Sequence, residues 1–370
     1  MNRPLIDLVV GARPNFVKLA PVHRALAAQA LVGTRVVHTG HHYDPGMNDV
    51  FFRDLGIPDP DVHLGVGSGP HGAQTGRILE RYEAHLLASP PAATAVFGDV
   101  NSTIACALAA VKLGVPVVHV EAGLRCFDRS LPEEINRILT DAIAALLLVS
   151  EPSGVENLRR EGVPDNRIRH VGNVMIDTLC AELPAARQAD MPRRLGLQPG
   201  GFGLVTLHRP SNVDDPAVLR MLLSTLGELG MRLPLVFPVH PRTKAAADRA
   251  GLDALLDGSR ALRCVEPLGY RDTLSLIAAA RVVLTDSGGL QEETTFLRVP
   301  CLTLRENTER PVTIDLGTSW LVGRNPAAIA AAFDAALGGQ WPAGASVPLW
   351  DGRAAERAAQ CIADWIGTRR

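Results

Sequence analysis

The chain has 370 residues, 46% hydrophobic and only 4% aromatic, with 37 basic against 39 acidic side chains and a formal net charge of -2. The apolar content excludes a disordered chain, and the scarcity of aromatics excludes a stacking platform for single-stranded nucleic acid. Balanced charge excludes a broad polyanion-binding face, so any anionic ligand must be held by a few placed groups.

At about 150 residues per domain, the length predicts two domains. The N-terminus runs directly into an apolar strand pattern, which predicts no secretory leader. The longest apolar run, 142–149, is too short to span a bilayer. Cysteines 106, 126, 180, 264, 301 and 361 lack paired spacing. They read as reduced thiols of a cytoplasmic protein, without a disulfide frame or zinc site.

Strand and helix patterns alternate. Strands are predicted over 5–10, 35–39, 93–97, 115–120 and 146–150, with helices over 21–29, 76–87, 103–113 and 133–142. The pattern restarts with strands over 202–206, 234–238, 282–285 and 301–304 and helices over 216–229, 271–279 and 289–297. A helical tail follows at 353–365. Nearly unbroken apolar strands between helices mean parallel sheets covered on both faces. A Pro-, Arg- and Gly-rich stretch over 185–201 separates the halves, placing the boundary near 172–200. The expectation is an α/β protein of two doubly wound, Rossmann-like domains, 1–175 and 176–370. The last helix would pack back on the first domain, and the active site would lie in the interdomain cleft.

Residues that could carry chemistry fall at the ends of these strands. The first loop, Gly11-Ala12-Arg13-Pro14-Asn15-Phe16-Val17-Lys18, follows a strand and opens a helix, so Arg13 and Lys18 are phosphate-binding candidates. Asp99, in Gly98-Asp99-Val100-Asn101-Ser102-Thr103, suits a ligand site and a helix N-cap equally. Glu121 ends the next strand, and Glu133 follows Pro132 at a helix start, where acids are favourable on any account. Carboxylates sharing a cleft raise one another's pKa and make an acid–base pair. They also suit a divalent metal.

In the second half, His208 and His240 each end a strand, in Leu207-His208-Arg209-Pro210 and His240-Pro241-Arg242. Asp286-Ser287-Gly288-Gly289-Leu290-Gln291-Glu292-Glu293 runs from strand into helix. Its glycines admit close backbone approach, its helix N-terminus offers free N–H donors to a diphosphate, and Glu293 is placed for ribose hydroxyls. Arg305 and Arg310 follow the next strand as a charge clamp. The residues alone thus describe a nucleoside diphosphate held by the second domain, with acidic groups of the first facing its other end.

Taken in order, these motifs, with His119–Arg125, Pro132–Arg137 and Thr308-Glu309-Arg310-Pro311, resemble the non-hydrolysing UDP-N-acetylglucosamine 2-epimerases of the glycosyltransferase-B (GT-B) fold. The resemblance runs nearly end to end. It implies inversion at carbon 2 of the sugar, interconverting UDP-N-acetylglucosamine and UDP-N-acetylmannosamine through elimination of UDP to 2-acetamidoglucal and re-addition. No cofactor and no metal are implied. By motif, Asp99, Glu121, Glu133 and His208 become catalytic candidates. Arg13, Lys18, Arg137, His240, Ser287, Gly288, Gly289, Glu293 and Arg310 become substrate-binding candidates. The resemblance also implies a homodimer, a cytoplasmic location and a place in polysaccharide biosynthesis, with no nucleic-acid or membrane partner. Some members carry a second, activating site with Gln-His after the second strand. Here His41 replaces the Gln, and Ala73 stands where some relatives place an Arg. Alternatives are a 2-epimerase of a modified UDP-sugar such as a diacetamido uronic acid, a GT-B glycosyltransferase, and a non-catalytic sugar-nucleotide sensor.

Overall fold

The computed structural model describes residues 3–29, 31–40, 55–256 and 261–369. His41 and the rest of its motif lie outside these residues. The chain divides into two compact units, Met1–Ala181 with Pro348–Arg370, and Glu182–Val347.

The first unit is built on a seven-stranded parallel sheet. Its strands are β1 (Leu5–Val10), β2 (Gly33–His38), β3 (Val62–His63), β4 (Ala93–Phe97), β5 (Val117–Ala122), β6 (Leu146–Val149) and β7 (Ile168–His170), in the order β3-β2-β1-β4-β5-β6-β7. Among the described residues, its helices of two turns or more are α1 (Arg13–Gln29), α2 (His71–Ala88), α3 (Asn101–Lys112), α4 (Pro132–Ile143) and α5 (Pro152–Arg160), and α6 (Val174–Ala189) begins in this unit and ends in the next. The strands are apolar because both faces are covered. Val9, Val37, Val96, Val117 and Leu147 pack with Ile78 and Tyr82 of α2 and Ala105 and Ala109 of α3.

Two departures from the sequence pattern have physical causes. Pro21 suggests a helix start, yet α1 begins at Arg13 and runs through it. A proline cannot donate to the carbonyl four residues back. Here the Thr178 hydroxyl donates to the Val17 carbonyl at 2.6 Å and closes that gap. The stretch expected to separate the halves is also partly helical, since α6 extends to Ala189.

The second unit repeats the design with six parallel strands. They are β8 (Gly203–Thr206), β9 (Leu235–Pro238), β10 (Leu262–Val265), β11 (Val282–Thr285), β12 (Cys301–Thr303) and β13 (Ser319–Leu321), in the order β10-β9-β8-β11-β12-β13. Its longer helices are α7 (Pro216–Gly230), α8 (Pro241–Ala250), α9 (Tyr270–Ala279), α10 (Gly288–Leu297) and α11 (Pro326–Leu337). Val205, Phe237 and Leu284 pack on one face with Leu222 and Leu226 of α7 and Phe333 of α11. Leu204, Val236 and Val283 pack on the other with Leu276 and Ile277 of α9. The final helix, α12 (Ala354–Gly367), belongs to the first unit, where Asp177 accepts from the Ala354 and Ala355 amides at 3.0 and 2.6 Å.

Each sheet reverses direction once, between β1 and β4 in the first unit and between β8 and β11 in the second. In open α/β sheets, ligands bind beyond the carboxyl ends of the strands at this switch point. The residues there are Gly11 and Gly98-Asp99 in the first unit, and Leu207-His208 and Asp286-Ser287 in the second. No described helix is long and apolar enough to cross a membrane.

Candidate functional site

In the first unit, the switch point is tied together by polar side chains. Asn15 donates to the Phe97 carbonyl at 2.6 Å and accepts from the Ala12 amide at 3.3 Å, joining the β1 and β4 loops. A Cβ on Gly11 would lie 2.1 Å from Ser102 Oγ, so only glycine admits this approach. The Arg13 side chain lies outside the described parts of the structure. Lys18, one turn into α1, is buried and forms an ion pair with Glu121.

Glu121 interrupts β5. Pairing with β6 shifts register between Val120 and Ala122, and Glu121 has φ +73°. A non-glycine residue in the left-handed region is disfavoured by about 1–2 kcal/mol. Such bulges re-aim a side chain. Here the result sets the carboxylate beside Gly98, where an added Cβ would lie 2.9 Å from Lys18 Nζ and 3.1 Å from Glu121 Oε2.

Helix α4 grips Asp99 at both ends. Arg137 Nε donates to the carboxylate at 2.9 Å and Asn136 donates to the Asp99 carbonyl at 2.9 Å. Arg137 also pairs with Glu134, a buried residue whose Oε1 accepts from the Phe127 amide at 2.8 Å. Of the two adjacent acids, Glu134 therefore organises the preceding loop. Glu133 is partly exposed, and among the described residues no hydrogen bond or ion pair engages its carboxylate. The repulsion expected among clustered carboxylates is thus answered at two of them by a cation, Lys18 on Glu121 and Arg137 on Asp99.

Behind these loops lies a buried ion chain that the sequence reading missed. His119 Nδ1 is 2.6 Å from Asp141, and its Nε2 is 2.8 Å from the Gly98 carbonyl. Asp141 also accepts from the Gly123 amide at 3.0 Å and pairs with Arg125 at 2.7 Å. Burial pushes the Asp141 carboxyl up, but His119 and Arg125 hold it below the usual range. His119 is thus held between a carboxylate on one side and a carbonyl on the other.

In the second unit, His208 and Asp286 end neighbouring strands. His208 Nδ1 is 2.9 Å from Asp286 Oδ1, and the His208 ring lies 5.5 Å from that of His240. His240 caps α8, its Nδ1 accepting from the Arg242 amide at 3.1 Å. Ser287 is the N-cap of α10 without a side-chain capping bond. Gly288 has a packing reason, since a Cβ there would lie 2.5 Å from Arg310 NH1 and 2.7 Å from Glu309 Oε1. Gly289 follows in the first turn of α10, where amides lack helical partners.

Arg310 proves to be engaged, with Nε 2.7 Å from Glu292 and a second ion pair to Glu309. Glu309 also meets Arg305 at 2.7 Å and Arg209 at 3.8 Å. Arg209, Arg305 and Arg310 thus gather with Glu292 and Glu309 beside the α10 N-terminus, an arrangement suited to a diphosphate. Buried Glu293 lies one turn further on. Burial pushes its carboxyl up to about 7, against the Tyr270 hydroxyl and with the charge of Glu292.

Among the described residues, no group of three or more His, Cys, Asp or Glu could hold a metal ion. Asp286 could have been found from sequence. It stands next to Ser-Gly-Gly, and the pairing of Thr206 with Thr285 carries His208 and Asp286 to adjacent strand ends.

Residues 24–363 match the family model for UDP-N-acetylglucosamine 2-epimerase. A UDP-N-acetylglucosamine 2-epimerase of Methanocaldococcus jannaschii is 40% identical over 86% of this chain and 88% of its own. A UDP-2,3-diacetamido-2,3-dideoxy-D-glucuronate 2-epimerase of Pseudomonas aeruginosa is 42% identical over 85% of this chain and 87% of its own. The crystal structure of the M. jannaschii enzyme in complex with UDP-GlcNAc and UDP superposes with a TM-score of 0.91 at 38% identity, covering 97% of this chain and 99% of that one. The two parallel doubly wound sheets therefore follow the GT-B-like architecture of these enzymes, and the chain belongs to the UDP-N-acetylglucosamine 2-epimerase family.

Proposed function

We propose that this protein is an isomerase that inverts carbon 2 of UDP-N-acetylglucosamine, giving UDP-N-acetylmannosamine without a cofactor. The observation that carries the reading beyond family membership is the carboxylate set of the first unit: Glu121 on a strained bulge beside Lys18, Asp99 held by Arg137, and Glu133 unengaged. Glycosyl transfer needs one base. Epimerisation needs a base on one face of carbon 2 and an acid on the other.

A carboxylate takes the proton from carbon 2 as the bond between carbon 1 and the UDP oxygen breaks. The electron pair forms the C1=C2 double bond of 2-acetamidoglucal, and UDP leaves as the anion. In the return step, a UDP oxygen adds to carbon 1 and a carboxyl group delivers a proton to the opposite face of carbon 2. The guanidinium groups at the α10 N-terminus stabilise the diphosphate in both directions. Glu293 accepts from ribose hydroxyls, Lys18, Arg137 and His240 complete the contacts to sugar and diphosphate, and His208 joins the carboxylates in the catalytic set. The resemblance also supports a homodimer, a cytoplasmic location and a role in polysaccharide biosynthesis.

The test is incubation with UDP-N-acetylglucosamine alone in D₂O, followed by NMR. Deuterium at carbon 2 and a manno isomer are expected. A substrate that stays protonated with no new sugar would exclude this substrate. The same assay with UDP-2,3-diacetamido-2,3-dideoxy-D-glucuronate then decides for the second reading, which the P. aeruginosa relative brings forward.

A further inference from the structure

We propose that Asp286 is a positioning residue for His208, fixing its imidazole as the Nδ1–H tautomer and leaving Nε2 as the atom that meets the ligand. The proposal rests on the reading that His208 serves the epimerase reaction, but its geometry stands without it.

The argument is an account of donors and acceptors. Asp286 is fully buried. Its carboxylate accepts from the His208 amide at 3.0 Å, the Arg209 amide at 2.9 Å and the Asn212 side-chain amide at 3.1 Å. Each of these partners is a donor only in this contact, so Asp286 needs no proton of its own. Burial would push its carboxyl up, but the bonds from His208 and Arg209 hold it below the usual range. An ionised carboxylate offers only acceptors. His208 Nδ1, at 2.9 Å, must therefore be the donor. A neutral ring then has its lone pair on Nε2, and a protonated ring has its charge answered by Asp286.

The same three backbone and side-chain bonds hold the carboxylate rigid. The dyad joins the ends of β8 and β11, locked below by the Thr206–Thr285 hydroxyl pair at 2.6 Å. The neighbouring ring is set the opposite way. His240 Nδ1 accepts an amide proton, so its own proton sits on Nε2. Two imidazoles 5.5 Å apart are thus held in opposite tautomers, one presenting an acceptor and the other a donor. Among the described residues, Arg209 with Glu309 and Arg242 with Asp214 are the nearby ion pairs of the two histidine loops. For imidazoles that ligate metals, an outer carboxylate of this kind is worth about 10–100-fold in activity, and a loss of that order is expected here.

Histidine-labelled protein tests this directly. In ¹⁵N spectra at alkaline pH, where imidazoles are neutral, the signal that disappears in His208→Gln should show a protonated Nδ1 and a bare Nε2. The signal lost in His240→Gln should show the reverse. In kinetics, Asp286→Asn should lower kcat about 10–100-fold with little change in KM, while in the His208→Gln background it should change kcat less than about twofold. A wild-type His208 protonated on Nε2 would overturn the proposal. So would an Asp286→Asn loss of the same size with and without His208, which would mark a structural role. The wild-type spectrum decides even if the variant fails to fold or the chain does not turn over this sugar.

Discussion

The Lys18 ammonium is bonded to the Glu121 carboxylate across 103 residues of sequence, and both side chains are almost wholly buried. Breaking a buried pair from one side leaves an uncompensated charge and costs about 3–5 kcal/mol. Lys18→Met should destabilise the protein by roughly that amount in urea unfolding. Glu121→Gln, which keeps shape and a polar partner for Lys18, should cost less than Lys18→Met. On the proposed placement of the nucleotide in the second unit, it should retain UDP binding by calorimetry yet lose most turnover. Near-normal turnover would remove Glu121 from the catalytic set.

Glu293 makes a pH prediction. Its carboxyl is pushed up to about 7 by burial from an ordinary 4.5. Between those values the folded protein holds the proton and the unfolded chain has lost it. Stability must therefore fall as pH rises through this window, by about 3 kcal/mol for the whole shift, and level off above it. Ribose hydroxyls donate to the ionised form, so UDP affinity should rise with pH over the same range. Glu293→Gln should abolish both trends, as seen in denaturation and titration calorimetry from acid to neutral pH. A wild-type protein without either trend would contradict this account.

Asp141 is expected to be indispensable to the first unit. Asp141→Ala leaves buried His119 without its carboxylate, while Arg125 keeps Glu161 at 2.7 Å, for a loss of about 3 kcal/mol. Asp141→Asn should lose less, because it still accepts the Gly123 amide. Both should slow turnover through the Gly98 carbonyl that His119 holds, and thermal melting alongside kcat reads the two effects.

Gly288→Ala tests the second unit. Alanine in a helix is ordinarily favoured over glycine by about 1 kcal/mol. Here the new Cβ would come within 2.7 Å of both Arg310 and Glu309. The guanidinium cluster must shift, and UDP affinity should fall with little change in the melting temperature. An unchanged affinity would separate this cluster from diphosphate binding.

The alternation of apolar strands and helices made both sheets legible, since a strand covered on two faces has no other way to be written. The edge strands β3, β7, β10 and β13 are short and mix polar with apolar residues, so no apolar run marks them. Helix α1 was only half visible because the residue that permits Pro21 inside it, Thr178, lies 161 positions away from Val17. At the site, residue types at strand ends drew attention to the loops that the structure places at the switch points. What they concealed was pairing. Arg310 reads as a free charge until Glu292 and Glu309 are seen on it, and Asp286 reads as part of a glycine turn until His208 is beside it.

The first unit is discontinuous in sequence, closing with residues that follow the whole of the second. A chain that leaves the ribosome from its N-terminus therefore completes its second sheet before its first unit has all its parts. Until α12 arrives, Asp177 has no helix to cap and the α1–α6 corner that carries Lys18 and Thr178 lacks its cover. The half that carries the candidate acid–base carboxylates is the last to be finished, so truncation from the C-terminus should strike the first unit and leave the second sheet whole.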